Sequence, residues 1–338
     1  MLLPFLHRVS AREDLTPADA REAMLAILDG QATTPQIAAF LAALRTKGET
    51  PDELLGFARA MRERVQRIDA GPGPLLDTCG TGAADGPQTF NISTVVAFVV
   101  AGANVRVAKH GNRSLSSECR SADLLEALGV NVTIPPERVG QSIREVGIGF
   151  LFAPLLHPAM KHAQPARLEL KMRTAFNLLG PLTNPAGATR QLIGAPSLDA
   201  AQLMAQALAG LEPERVFVVH GSDGLDEVTT TGPTTIFEVR PNSVRKFRWT
   251  PADFGVPTAA AADLAGGDRA HNREIAIQIL EGAPGPRRDI VLVNTAAALM
   301  AAGVAADPAE AMQLAATSID SGSARTKLQQ LAAFTQAS

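Results

Sequence analysis

The hydrophobic pattern opens in three similar helical stretches. "TPADAREAMLAILDG" offers Thr16 as N-cap, Pro17 in the first turn and Gly30 as stop. "TPQIAAFLAALRTKG" does the same with Thr34, Pro35 and Gly48. "TPDELLGFARAMRERVQRI" follows with Thr50 and Pro51, and Glu53 completes a capping box. Leu54, Ala58, Met61, Val65 and Ile68 recur at helical spacing. The spacing predicts a small all-helical unit that ends at the linker "DAGPGP" (69–74). Stretch lengths and spacings differ too much for a repeat array.

From residue 75 the rhythm changes to short apolar runs alternating with helices. Strands are expected at Leu75–Cys79, Val105–Lys109, Gly149–Ala153, Leu192–Ala195 and Val216–His220, then at Thr235–Val239 and Val244–Trp249. Helices are expected at 93–102, 121–129, 136–146 and 199–211. Such alternation predicts an α/β fold with a central, mostly parallel sheet covered on both faces. The last two strands read as an antiparallel hairpin at one edge. Residues 269–337 read as helices, with a break marked by Gly303 and Pro308.

In sheets of this kind ligands sit beyond the carboxyl ends of the strands, so the loops there carry the chemistry. The first, "GTGAADG", has Gly80 and Gly82, where backbone amides could approach an anion, and it leads into a helix start with Asn91, Ser93 and Thr94. It is neither a Walker loop nor a dinucleotide fingerprint, since GK[ST] and GxGxxG are both missing. A plain glycine turn with a Ser/Thr cap accounts for the glycines equally well. The second loop packs Lys109, His110, Asn112, Arg113, Ser114, Ser116 and Ser117 into nine positions. Lys and Arg there could neutralise a polyphosphate; the alternative is a solvated basic loop. "HGSDGLDEV" supplies Asp223, Asp226 and Glu227. Adjacent carboxylates opposite a phosphate cradle suit Mg²⁺, which binds through one or two carboxylates plus phosphate; a surface acidic turn is the bland reading. "MKHAQPARLELKMR" adds Lys161, His162, Arg167, Lys171 and Arg173, one of which could reach a substrate carboxylate. Residues 173–187 read as a linker.

Composition narrows these readings. In 338 residues the net charge is −3 and 46% of residues are hydrophobic, so a large core is available and a generally basic nucleic-acid binder is disfavoured. One Trp, no Tyr and thirteen Phe leave little for base stacking. Cys79 and Cys119, with no CxxC pair, suggest neither a zinc site nor a disulfide framework. "MLLPFLHRV" is too short and broken to span a bilayer. A cytoplasmic protein that does not engage membranes is expected.

Taken in order, DTCGTG, NIST, KHGNR, SAD, HPAMKH, RTAFNLLGPLTNP and HGSDGLDE resemble the anthranilate phosphoribosyltransferases, a family of nucleoside phosphorylase-like (class III) phosphoribosyltransferases. The likeness extends to "VNTAAALMAAG" near 293–303. It implies a helical domain (1–70, joined by helices near 160–185) beside an α/β domain (74–338), with the site between them, and a homodimer through the helical domain. The implied reaction transfers the 5-phosphoribosyl group of phosphoribosyl pyrophosphate (PRPP) to the amine of anthranilate, in tryptophan biosynthesis, with Mg²⁺.

On that likeness Gly80, Thr81, Gly82, Asp85, Asn91, Ser93, Thr94, Lys109 and Ser117 would bind PRPP. Gly80, His110, Asn112, His157 and Arg167 would line the anthranilate path, Arg167 meeting its carboxylate. Ser93, Asp226 and Glu227 would carry the metal, and no residue is implied as a general acid or base. The chain departs from the family pattern at Ala83, which replaces a third glycine in a loop one residue longer than usual. It departs again at Arg120 and at Lys171, where glycine is usual. Two other readings are a pyrimidine nucleoside phosphorylase and a non-catalytic relative that binds nucleic acid or a protein partner.

Overall fold

The computed structural model describes residues 1–82, 88–113 and 119–337. Four helices come first: α1 (Leu3–Ser10), α2 (Pro17–Leu28), α3 (Thr34–Lys47) and α4 (Pro51–Arg64). The sequence pattern did not anticipate α1; it buries Leu2 and Val9 at its ends and packs on α3. At α2, Thr16 Oγ1 accepts from the Asp19 amide (3.2 Å). At α3 the cap is Thr33, not Thr34, because Gln36 stands three residues after Thr33 and its Oε1 accepts from the Thr33 amide (3.1 Å). At α4 the expected box forms: Glu53 N–H donates to Thr50 Oγ1 (3.2 Å) and Thr50 N–H to Glu53 Oε2 (2.9 Å).

The α/β part runs β1 (Leu76–Gly80), α5 (Ile92–Gly102), β2 (Val107–Gly111), α6 (Ser121–Ala127), α7 (Pro136–Glu145), β3 (Ile148–Phe152) and α8 (Ala153–Leu156). Then come α9 (Gln164–Leu170), α10 (Phe176–Leu179), β4 (Arg190–Gly194), α11 (Leu198–Ala209) and β5 (Arg215–Gly221). The hairpin β6 (Thr234–Arg240) and β7 (Ser243–Trp249) precedes α12 (Arg269–Leu280), α13 (Pro286–Ala301), α14 (Pro308–Asp320) and α15 (Ser323–Gln336). The 173–187 stretch is not all linker: Phe176 and Leu179 are buried, and that burial folds the short helix α10 around them.

The described residues form one seven-stranded sheet, order β3-β2-β1-β4-β5-β6-β7. Strands β1 to β5 are parallel; β6 and β7 are antiparallel to their neighbours. Alternate side chains serve two cores. Leu76, Val107, Leu192, Phe217 and Val219 pack with α5, α13, α14 and α15. Ile193, Val216, Val218 and Val239 face the other way, toward α11, the N-terminal helices and Ala163, Ala166, Phe176 and Leu179. Helix α5 is apolar all round, as a helix buried on every side requires, and is enclosed by the sheet and the C-terminal helices. The fold is a small helical domain set against a larger α/β domain.

The strand order places a switch point between β1 and β4. The chain moves outward from β1 through β2 to β3, then returns to lay β4 on the other side of β1. The loops leaving β1 and β4 diverge there and open a crevice at their carboxyl ends.

Candidate active site

The crevice is built on bare backbone. β1 ends at Gly80 and β4 at Gly194, paired in register, and the Thr81 amide donates to Gly194 O (3.1 Å). The acidic loop after β5 lies directly on these glycines. A Cβ on Gly194 would stand 1.7 Å from Asp226 O, and one on Gly80 would stand 2.8 Å from Asp226 Oδ2. No other residue type lets the loop come this close.

The three acidic residues divide into two roles. Asp223 is spent within its loop: Oδ1 accepts from the Leu225 amide (3.1 Å) and Oδ2 from the hydroxyls of Thr229 (2.6 Å) and Thr231 (2.5 Å). Asp226 and Glu227 point to the crevice. Glu227 accepts from the Ser93 amide at the start of α5, so it sits at the positive end of that helix dipole. Burial, then the neighbouring Asp226 charge, push the Glu227 pKa up to about 8. Two carboxylates crowded this way form a donor set that a hard divalent cation would relieve, so the residues fit magnesium. Among the described residues no group of three or more His, Cys, Asp or Glu forms a complete cage.

The first amides of α5, the helix start that follows the glycine loop, are already engaged. The Ile92 amide donates to Phe90 O (2.8 Å), Ser93 to Glu227, and Thr94 to Asn91 O (3.1 Å). Of these amides only that of Ser93 meets the acidic loop. Thr94 is fully buried, and its hydroxyl, like that of Thr81, has no hydrogen-bond partner among the described residues. Asn91 instead ties the loops together: Nδ2 donates to Cys119 O (3.2 Å) and Oδ1 accepts from Asn272 Nδ2 (3.1 Å).

Lys109 is only 2% exposed and lies under the crevice floor, where Nζ donates to Thr78 O (2.6 Å) and lies 3.4 Å from Ser93 Oγ. Burial lowers its pKa, while the charges of Asp77 and Glu227 work to raise it. Asp77 was not singled out from sequence. It is buried, accepts from the His110 amide (3.0 Å) and Asn184 Nδ2 (2.8 Å), and thereby fixes β1 against β2 and the 180–187 segment. Its sequence signal was an acid inside an otherwise apolar strand.

The departure at position 120 has a place in the site. Gly82 has φ +67°, and Arg120 Nη1 stands 2.7 Å from where its Cβ would be. Arg173 Nη1 donates to Gly82 O (3.0 Å). The Arg173 guanidinium therefore holds the glycine loop by its carbonyl, and the Arg120 guanidinium fills the space beside its Cα. Asp85 and Ser117 lie outside the described residues.

A second wall faces the helical domain. His110 and His157 are buried, with Nε2 atoms 3.1 Å apart. His110 Nδ1 lies 3.2 Å from Gly180 O. A carbonyl can only accept, so His110 carries its proton on Nδ1, and His157 Nε2–H donates to His110 Nε2. Burial, reinforced at His110 by its neighbour His157, holds the pKa values down to about 3 for His110 and about 4 for His157, so both rings are neutral at pH 7. Arg167 is partly buried, its guanidinium 5.3 Å from the centre of the Phe176 ring. It makes no ion pair among the described residues, and burial lowers its pKa. Asn112 is exposed and accepts from the Arg113 amide (2.7 Å). Lys161 and Lys171 are exposed.

A helical domain docked on an α/β domain, with an acidic loop seated on glycine strand ends at the switch point, is the architecture of a glycosyl transferase class. Residues 3–65 match the family described as "Glycosyl transferase family, helical bundle domain" and residues 72–325 the one described as "Glycosyl transferase family, a/b domain". The chain is 62% identical over 335 residues to the anthranilate phosphoribosyltransferase of Solibacter usitatus, covering 98% of each. It superposes on the anthranilate phosphoribosyltransferase (TrpD) of Thermus thermophilus with TM-score 0.93 and 42% identity, covering 98% of this chain and 99% of that one. For the Saccharomyces cerevisiae enzyme in complex with PRPP and Mg the TM-score is 0.89 at 27% identity, covering 99% and 97%. The same yeast enzyme is also known in complex with 4-fluoroanthranilate. The chain belongs to the anthranilate phosphoribosyltransferase family.

Proposed function

We propose that this chain transfers the 5-phosphoribosyl group of PRPP to the amine of anthranilate, releasing pyrophosphate, as a step of tryptophan biosynthesis. The observation that carries the reading is the acidic pair at the switch point, Asp226 and Glu227 on the loop seated on Gly80 and Gly194, beside a Gly82 whose carbonyl accepts from Arg173. The His110–His157 pair at the carboxyl end of β2, and Arg167 over Phe176, support it.

Breaking the anomeric C–O bond leaves negative charge on pyrophosphate. Arg173 fixes the glycine loop whose amides would face it, Arg120 lies against that loop, and Lys109 beneath would supply positive potential to the same crevice. Asp226, Glu227 and Ser93 would hold Mg²⁺, which supplies charge neutralisation on the departing phosphates when bound. Arg167 would pair with the anthranilate carboxylate. His157, whose Nδ1 is the one acceptor this tautomer leaves open on the pair, would accept a hydrogen bond from the amine and orient it; the proton the amine loses as the C–N bond forms would leave with pyrophosphate or water. Rate then comes chiefly from positioning, where effective molarities of about 10⁵ M or more are available.

We also propose a homodimer through the helical domain, supported by the exposed side chains of Leu3 (40%) and Leu168 (52%), and a cytoplasmic setting, supported by the two free cysteines. The domain limits proposed are 1–70, joined by 160–185, and 74–338. The test is loss of anthranilate fluorescence with PRPP and Mg²⁺. No turnover at high enzyme concentration, or phosphorolysis of thymidine in its place, would overturn the reading.

A further inference from the structure

Helix α13 carries one polar side chain into the back of the acidic loop. Asn294 is fully buried, in the apolar run "DIVLVNTAAALM". Its carboxamide grips a single residue of the loop: Oδ1 accepts from the Val228 amide (2.8 Å) and Nδ2 donates to Val228 O (2.9 Å). The second Nδ2 hydrogen goes to Ile290 O (2.9 Å), one turn earlier in α13. Every donor and acceptor position of the carboxamide that packing allows is in use.

Val228 directly follows Glu227. Its N–H belongs to the same peptide unit as the Glu227 carbonyl, so holding that N–H fixes the backbone rotation that aims the Glu227 side chain. Asp223, with its three acceptor contacts, braces the other side of the loop but touches neither end of that peptide. Gly194 sets how close the loop comes to the sheet, and Asn294 sets how it is turned.

We infer that Asn294 is the positioning residue that turns Glu227 into the crevice, and so sets the affinity of the site for a divalent cation bound together with a sugar diphosphate. This rests on the function proposed above. A residue that only filled the core would give a different result when its amide was removed at constant volume.

The experiment compares wild type, Asn294→Leu, Asn294→Asp and Thr295→Val by calorimetric titration of Mg²⁺ into protein with PRPP, and by steady-state kinetics. Thr295 is the control: it is fully buried on the same helix, and its hydroxyl has no partner among the described residues. Asn294→Leu should raise the Mg²⁺ concentration for half-saturation about tenfold, with the KM for anthranilate within twofold of wild type. Thr295→Val should match wild type. Asn294→Asp keeps the acceptor for Val228 N–H but sets an oxygen against Val228 O and Ile290 O, so it should raise the Mg²⁺ requirement at least as much as Asn294→Leu. Unchanged Mg²⁺ affinity in a folded Asn294→Leu, judged by circular dichroism, would overturn the inference; so would an equal rise in anthranilate KM. If Asn294→Leu does not fold, the same two criteria are applied to Asn294→Asp. A wild type that binds no PRPP with Mg²⁺ would remove the functional reading itself. Binding in wild type with no change in the variants would remove only the role of Asn294.

Discussion

Replacing Gly194 by alanine puts a methyl group into space already filled. Its Cβ would lie 1.7 Å from Asp226 O, 2.6 Å from Asp226 C and 3.0 Å from Asp226 Cβ, whereas ordinary contact begins at 3.4 Å. The obstructing atoms are backbone on both sides, so no rotamer relieves the clash. Either the β4 terminus or the acidic loop must move, and the gap from 1.7 to 3.4 Å sets the scale. Overpacking of this kind costs about 1–3 kcal/mol of stability, and misplacing reacting groups by about 1 Å can cost about 10²-fold in rate. Gly194→Ala should therefore fold, with a lowered denaturant midpoint, and lose about 10²-fold in kcat/KM for PRPP in the anthranilate fluorescence assay. Gly80→Ala provides the graded comparison. There the nearest atom is Asp226 Oδ2 at 2.8 Å, the tip of a side chain rather than backbone. A loss of about tenfold is expected. A folded Gly194→Ala within twofold of wild type, or a larger loss at Gly80, would refute the claim that the bare strand ends seat the acidic pair.

Arg167→Ala removes the cation over Phe176 and should raise the KM for anthranilate about ten- to a hundredfold while leaving PRPP binding within twofold; calorimetry showing equal loss of both would exclude the assigned role. The buried histidines titrate at about 3 and about 4 in the folded chain against 6.5 ordinarily. The unfolded chain thus binds more protons below pH 6.5, so their contribution is full above that pH and is lost as pH falls toward 4. Each contributes a slope of about 1.4 kcal/mol per pH unit, and His157→Gln should flatten stability between pH 5 and 6.5 by that amount in denaturant titrations. Glu227 acts with the opposite sign: raised to about 8, its contribution is full below 4.5 and declines as pH rises through 8. Lys171 caps α9 in the left-handed region, with φ 47° and ψ 33°. Lys171→Gly should raise stability by about 1 kcal/mol, read as a higher denaturant midpoint.

The sequence by itself determined most of the architecture, because periodicity is a local signal. All seven strands and the main helices of the α/β part fall where the alternation of apolar runs placed them, within a residue or two at most ends. The caps at Thr16 and Thr50 were legible for the same reason: their partners lie three residues away. The pattern missed α1, α8, α9 and α10, too short for a period to show, and the choice between Thr33 and Thr34, which Gln36 decided.

Within the site, sequence reasoning found the residues but not how they share the work. It grouped Asp223 with Asp226 and Glu227; only the folded loop shows Asp223 consumed by two threonine hydroxyls and an amide. It reserved the α5 terminus for phosphate, whereas the amide of Ser93 meets Glu227, over a hundred residues away in the chain. Arg120 stood out only as a departure from the family pattern, whereas the fold lays it beside Gly82, and Asp77, Asn184 and Asn294 carried no assignment from the sequence. Residue type and spacing follow from local chemistry, which a sequence displays directly. Which buried donor meets which acceptor depends on how the sheet order brings distant loops together at one switch point, and that was decided only by the tertiary structure.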